Sequence, residues 1–407
     1  MSLLTDRYAT RGDLILVLNC GSSSIKFALF DAAGSDLQRT PVWNGKVQGI
    51  GGPAPTYGET GITPIQVALD PERPYSAALA RIQQGVLARL DGRKLHSVVH
   101  RVVHGGNKFF APVRVNQALL DDLKAYIPLA PLHQPFALEA IETLLLSRPD
   151  LPQVACFDTA FHHTLPKVEQ LLPLPYDAWE RGLRRYGFHG LSYDYMATAL
   201  PERHGDLACG RTIVAHLGSG ASLCAMQNLK SVATTMGFSA LDGLMMGTRT
   251  GALDPGAVLY LMEIEKLTLA EVGQVLYHKS GLLGVSGTSS EPRVLLPLES
   301  EDSEAGARAR DALALYVRRI VREIGALVAV LGGLDMLVFT AGVGEHSAEI
   351  RKRICDALAF LGMQINDGAN ADNAPVISTP DSTVIIAVEP TNEEWVAASQ
   401  ALTLLTN

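Results

Sequence analysis

Residues 14–30 read LILVLNCGSSSIKFALF. The short apolar run at 14–18 predicts a buried strand. Asn19, Cys20, Gly21 and three serines follow as a turn cluster, and IKFALF (25–30) resumes as a second strand. The unit is strand, small-residue turn, strand. It returns near the middle of the chain. There TIVAHL (212–217) runs into Gly218-Ser219-Gly220-Ala221-Ser222 and then LCAM (223–226). Two such hairpins in one chain hint at a duplicated, two-domain architecture.

Working outward, VVHRVV (98–103), QVACFD (153–158) and MLVFTAG (336–342) read as core strands that end in polar residues or glycine. Residues 76–91, 135–147, 305–331 and 347–361 carry helical apolar spacing. Strands alternating with helices predict an α/β protein. The Gly- and Pro-rich residues 49–64 read as an exposed loop. Thr391 and Glu394 have capping-box spacing and predict a last helix over 392–405.

Composition narrows the function classes. The chain has 407 residues, 47% of them apolar and 19% charged, with a net charge of −8. That length suggests two or three domains. The negative balance argues against bulk electrostatic binding to nucleic acid or an anionic membrane. An anionic substrate would need a local cluster of Arg, Lys and His. Cys20, Cys156, Cys209, Cys224 and Cys355 are scattered without a CxxC pair, which fits reduced thiols in a cytoplasm better than zinc or disulfides. The first residues carry charges and no apolar h-region, so no signal peptide is expected. The longest apolar run, 324–334, is too short for a bilayer that needs about 20 residues.

Several segments offer groups for chemistry. The Gly/Ser turns suit backbone N–H contacts to an anion, although ordinary hairpin turns use the same residues. Neither a GxxxxGK[ST] nor a GxGxxG pattern is present. Lys26 follows the first turn as a point charge for a phosphate, and His216 stands beside the second. Arg101 ends a strand, where its planar fork matches a carboxylate or a phosphate; a structural role there is the alternative. Asp158 also ends an apolar strand, as a functional carboxylate or a helix cap. RRYGFHG (184–190) concentrates two arginines and His189. GLMMGTRTG (243–251) places Arg249 in a Gly-rich loop. Thr340-Ala341-Gly342-Val343-Gly344-Glu345 links a strand to a helix, a geometry that suits a nucleotide. Met245 and Met246 read as core, His162-His163 as no metal site, and the arginines of 304–323 as the wet face of a helix.

In order along the chain, LVLNCGSSSIKF (16–27), HRVVHGG (100–106), PLAPLH (128–133), FDTAFHHTLP (157–166), RRYGFHG, AHLGSGAS (215–222), GLMMGTRTG, SGLLGVSG (280–287), FTAGVGE (339–345) and PTNEE (390–394) resemble the acetokinase family. The resemblance implies two related α/β domains of the actin-like ATPase (ribonuclease H-like) fold, with the active site in the cleft between them. It divides the chain into 1–158 plus 393–407, an N-terminal domain completed by the last helix, and 159–392, a nucleotide-binding domain. It also implies reversible transfer of the ATP γ-phosphoryl group to acetate, in the cytoplasm and by a homodimer, without a nucleic-acid or membrane partner. The implied ion is magnesium, with manganese as the alternative.

Matched motif by motif, the resemblance gives Asn19 and Glu393 to the metal site and Lys26 to the nucleotide. Arg101 would hold the acyl carboxylate. Asp158 matches the active-site aspartate, and His189 and Arg249 the groups that stabilise the phosphoryl in transit. His216, Leu217, Gly218, Ser219 and Gly220 match the phosphate loop. Glu291, Pro292 and Arg293 match a further nucleotide contact, and Gly342, Val343, Gly344, Glu345 and His346 the adenosine-side loop. Val103, Leu132, Phe188 and Ala240 fall on the apolar acyl pocket. Four positions depart from the family pattern. Ser219 and His346 each replace Asn, Glu291 replaces Asp, and Ala240 replaces Pro. A propionate or other short-chain acyl kinase shares all these motifs. A chaperone- or filament-type ATPase of the same fold would not need the carboxylate-binding arginine.

Overall fold

The computed structural model describes residues 13–34, 36–130 and 133–406. The described residues divide into two compact units. One comprises those up to Ala160 together with those from Asn392 onward, and the other is Phe161–Thr391.

In the first unit the opening hairpin is β1 (Leu14–Cys20) and β2 (Ser24–Asp31), followed by β3 (Trp43–Gln48), β4 (Thr56–Glu59), β5 (Ile65–Gln66), β6 (Leu95–Val102), β7 (Val113–Arg114) and β8 (Gln153–Phe157). Their order across the sheet is β5-β4-β3-β2-β1-β6-β8-β7. Strands β1 to β3 form an antiparallel meander, whereas β1, β6 and β8 run parallel. Parallel strands need both faces covered, which is why β1 and β8 are apolar nearly throughout rather than alternating. Leu14, Leu16 and Leu18 join a core with Ile82 and Val86 of helix Pro74–Leu87 and Leu138 and Ile141 of helix Gln134–Ser147. The closing helix, Glu393–Thr406, packs on β1, β6 and β8, with Cys156 Sγ 3.7 Å from the Ala397 carbonyl.

The second unit holds β9 (Thr212–Leu217), β10 (Ala221–Gln227), β11 (Lys230–Thr234), β12 (Met336–Thr340) and β13 (Ile385–Val388), in the order β11-β10-β9-β12-β13. Here too a three-strand antiparallel meander continues into parallel strands. The run β11-β10-β9-β12-β13 therefore repeats β3-β2-β1-β6-β8 strand for strand and direction for direction. The two Gly/Ser turns occupy the same place in the two sheets. Helix Glu304–Leu331 buries Ala309, Ala312, Leu313, Tyr316, Ile320 and Ile324 and leaves Arg308, Arg310, Arg318 and Arg322 in water, as its charge pattern predicts, whereas Arg319 is half-buried and donates to the Ala252 carbonyl at 3.1 Å. Met245 and Met246 are core.

Two local expectations are corrected. Residues 49–64 are not all loop, because Thr56–Glu59 pairs with β3 as a short strand. Tyr57 anchors it, stacking at 6.0 Å on Phe27. The last helix starts at Glu393, and its cap is Asn392, whose Oδ1 accepts the Trp395 N–H at 3.1 Å. Thr391 instead donates its backbone N–H to Glu345.

Candidate active site

Strand register gathers the first set of groups. Asn19 lies opposite Lys26 on β2 and beside Arg101 on β6, at the end of the sheet where β1 gives way to its turn. Asp158 follows β8 directly, and its N–H is held by the Val102 carbonyl at 3.1 Å. Arg101 Nε donates to both Asp158 oxygens at 3.0 Å and Nη2 to Oδ2 at 2.6 Å. Its other nitrogen, Nη1, stands 3.4 Å from Glu393 Oε2 at the head of the last helix. Burial alone would weaken the guanidinium charge, but Asp158 and then Glu393 more than offset this and hold Arg101 firmly protonated. Burial pushes the Asp158 carboxyl up against the pull of Arg101. Burial, and then the charge of Glu393, also raises the Glu394 carboxyl.

The second set lies on the other unit. His189 precedes helix Gly190–His204 in a left-handed conformation, φ 58°, which is strained for a residue with a Cβ and typical of functional positions. Its ring stacks on His216 at 4.1 Å. Its Nδ1 meets Ser222 Oγ at 2.8 Å. Arg249 Nη1 donates to the Ala240 carbonyl at 2.9 Å. No carboxylate among the described residues pairs with Arg249, and burial draws its guanidinium down from the ordinary value. A Cβ built on Gly220 would stand 3.4 Å from His189 Nε2 and 3.6 Å from Arg249 Nη1. Two side-chain nitrogens thus border one small space beside the glycine. A half-buried cation without a counter-ion, beside an imidazole, is arranged for an incoming anion.

Several of the remaining predicted groups are tied to the loop that carries Gly220. The Gly247 N–H binds the Ser219 carbonyl at 3.2 Å, tying the Arg249 loop to the phosphate loop. Gly247 also lies against Ser290, the residue before Glu291, and a Cβ on Gly218 would be 3.7 Å from Ala341. Leu217 is buried, so only its backbone can face a ligand, whereas Ser219, Gly342 and His346 are exposed. Glu291 and Arg293 pair with each other, and Pro292 opens helix Pro292–Leu298. Glu345 turns inward. Its Oε1 accepts the N–H of Ala341 at 2.8 Å and of Thr391 at 3.1 Å, so it shapes the loop instead of reaching out.

Of the acyl-pocket residues, Val103 is half-buried in the first unit, Phe188 is buried in the second, and Ala240 offers its carbonyl to Arg249. Leu132 lies outside the described residues. His162 is a buried structural histidine, bonded to Ser231 Oγ at 2.8 Å and to the Phe188 carbonyl at 2.9 Å.

Sequence reasoning missed several supporting residues. Arg351 is fully buried and spends its guanidinium on neutral oxygens. These are the Gly344 and Glu345 carbonyls at 2.8 and 2.9 Å, and acceptors on Asn370 and Asn373 at 2.7–2.8 Å. Ser192 links His216 Nδ1 to Thr391 Oγ1, each at 2.9 Å. Nothing in the sequence marks them, since Arg351 stands beside Lys352 and Arg353 in a polar helix and its burial comes only from packing.

Among the described residues no three His, Cys, Asp or Glu groups are placed to hold a metal alone. Magnesium asks for less, since it keeps waters and takes one or two carboxylates plus substrate phosphates. Asn19 and Glu393 carry oxygen donors of that hard kind, and Glu393 here faces Arg101.

A doubled 3-2-1-4-5 mixed sheet, with polar and charged groups at the strand ends, defines the actin-like ATPase fold. The profile of the acetokinase family matches residues 14–399. The chain is 48% identical over 392 residues to an acetate kinase of Rhodopseudomonas palustris, covering 95% of this chain and 97% of that one. It is 42% identical to an acetate kinase of Rickettsia felis, with 97% and 100% covered. Among solved structures, Porphyromonas gingivalis acetate kinase superposes with a TM-score of 0.83 at 36% identity, covering 97% of this chain and all of that one. A propionate kinase from Francisella tularensis gives 0.86 at 34%, covering 95% and 98%. This chain belongs to the acetokinase family.

Proposed function

We propose that the protein transfers the γ-phosphoryl group of ATP to acetate, reversibly, giving acetyl phosphate and ADP. The observation that carries this reading is the convergence of His189 Nε2 and Arg249 Nη1 on the space above Gly220. An imidazole nitrogen and a guanidinium nitrogen beside one small space, the guanidinium without a carboxylate partner among the described residues, suit charge that appears on a phosphoryl group in transit. The names of the relatives favour acetate. The Francisella structure and the small Ala240 side chain favour propionate as the second reading.

The chemical problem is crowding of negative charge, since a carboxylate must approach a triphosphate. Acetate needs no general base, because a carboxylic acid with a pKa near that of Glu, about 4.3, is ionised at neutral pH. Arg101 would orient the carboxylate through Nη1, the end of its fork that Asp158 does not hold. Asp158 keeps the Arg101 fork in one orientation. With both oxygens bonded to Arg101 and only 2% of its side chain exposed, Asp158 is badly placed to attack phosphorus, which supports direct in-line transfer. Asn19 and Glu393 would hold a divalent cation, magnesium or manganese. Such an ion offsets charge on the phosphates when bound. Lys26 adds a further positive charge on the nucleotide side. The backbone of Gly218, Ser219 and Gly220 borders the phosphates, and that of Gly342, Val343 and Gly344 the adenosine. Val103, Leu132, Phe188 and Ala240 set the acyl-chain range.

We assign the protein to the cytoplasm, where its substrates are. None of its five cysteines is in a disulfide, and no helix among the described residues is long and apolar enough to cross a membrane. We also propose a homodimer. Helix Pro255–Glu263 buries none of its residues, and Leu259, Tyr260, Met262 and Ile264 around it are exposed. Large apolar patches of this kind mark protein interfaces. Light scattering that finds only the 43.6 kDa single chain would contradict the dimer. ADP release that requires acetate supports the kinase reading, whereas equal ATP hydrolysis without acetate would replace it with an ATPase.

A further inference from the structure

Behind His189 lies a chain of buried hydroxyls that the reaction as described does not use. Ser222 sits on β10, opposite His216, and is fully buried. Tyr193, on helix Gly190–His204, is also fully buried, and its hydroxyl lies 2.5 Å from Ser222 Oγ. Ser222 Oγ in turn lies 2.8 Å from His189 Nδ1. The opposite nitrogen, Nε2, faces the space above Gly220. The order of groups is therefore phenol, alcohol, imidazole, substrate space.

We propose that Tyr193 and Ser222 are positioning residues that fix His189 as the neutral tautomer with its proton on Nε2, so that the ring donates to the transferring phosphoryl group. This rests on the kinase reading above. The direction of the hydrogen bonds follows from acidity. A phenol, with a pKa of about 10, is a stronger donor and a poorer acceptor than an aliphatic alcohol. Tyr193 therefore donates to Ser222. The single Ser222 proton then goes to Nδ1, which accepts with its lone pair. A neutral imidazole carries one N–H, so that proton must sit on Nε2. In the reversed chain Nδ1 would donate to Ser222, and Nε2 would present a lone pair to an anionic phosphoryl oxygen, which is repulsive. The relay therefore supplies a donor without requiring a charged imidazolium, and Arg249 alone brings the positive charge to that space.

The tautomer can be read directly. Nitrogen-15 spectra of histidine-labelled protein at pH 8, where an ordinary imidazole of pKa about 6.5 is neutral, should show His189 protonated on Nε2 and bare on Nδ1. The resonance is assigned by its loss in His189→Gln. A proton on Nδ1 in the unmodified protein would overturn the proposal. Ser222→Ala and Tyr193→Phe should lower kcat, Ser222→Ala by about 10- to 100-fold, the scale on which partners that orient functional histidines act at metal sites. KM for ATP and for acetate should stay within about threefold, because uniform binding is untouched. A Ser222→Ala enzyme that is folded and keeps full kcat would also overturn it. His189→Ala separates the two levels. If His189→Ala is inactive while Ser222→Ala is normal, the relay is wrong and the kinase reading stands. If His189→Ala is itself normal, the role of the histidine in transfer falls.

Discussion

His189 and Arg249 stand within 3.4 and 3.6 Å of the same point, and neither contact needs a ground-state ligand to hold it there. His189→Ala and Arg249→Ala should therefore each lose about 10²–10³ in kcat, the usual cost of removing one transition-state donor. Nucleotide affinity, followed by direct titration, should change little. Near-normal turnover in either variant would remove that residue from the mechanism. Arg101 should behave differently, because in the proposed reaction it meets the carboxylate before the transfer as well as during it. Arg101→Leu should raise the KM for acetate far more than that for ATP. It also strands the buried Asp158 carboxylate, so the variant should lose about 3 kcal/mol of stability in denaturant unfolding. An unchanged acetate KM would place the carboxylate elsewhere. Residues such as Arg101, Asp158 and Arg249 were legible because a charged side chain at the end of an apolar run, or in a glycine loop, is conspicuous. Ser222 and Tyr193 were not. A serine 33 residues from its histidine and a tyrosine 29 residues from that serine become partners only when the strand and the helix pack.

Among the elements, the proposed phosphate loop would work through a missing side chain. Gly220 has no positive φ, so alanine fits its backbone, yet the added Cβ would fill the space that the two donors share. Gly220→Ala should fold normally, with an unchanged Tm, and lose most of its kcat. Full activity would mean that the phosphoryl group does not pass there. The capping residue of the last helix shows where sequence pattern alone misleads. Thr391 and Glu394 have the spacing of a capping box, but Asn392 makes the cap, and Thr391 is drawn to Glu345 and Ser192. Tertiary partners in competition with a local motif decided the outcome. The same holds for Thr56–Glu59, whose strand state comes from pairing with β3 and from Tyr57 stacking on Phe27, contacts that a Gly- and Pro-rich composition hides.

Over the whole molecule the duplication was legible, since two Gly/Ser hairpins stand in corresponding places of two mixed sheets with the same strand order. What no pattern disclosed is how many histidines the fold keeps neutral. Burial pulls His100 and His162 down to about 4 and His104 to about 3. In the unfolded chain they titrate near 6.5, so between about pH 6.5 and 4 the unfolded state binds more protons than the fold. Stability from this source is complete above about pH 6.5 and is lost as pH falls, with a limiting slope of about 1.4 kcal/mol per pH unit for each histidine. Unfolding midpoints measured from pH 7.5 to 5 should fall accordingly, and a flat profile would show that these rings are not buried neutral. The central claim, phosphoryl transfer to acetate, is tested most directly by trapping the acyl phosphate with hydroxylamine in the presence of ATP and a divalent cation, across acetate, propionate and butyrate. Hydroxamate should form only with both ATP and acid, fastest with acetate and reduced for propionate by a discrimination of about 1–3 kcal/mol per methylene. ATP consumed without hydroxamate, or propionate outrunning acetate, would contradict it.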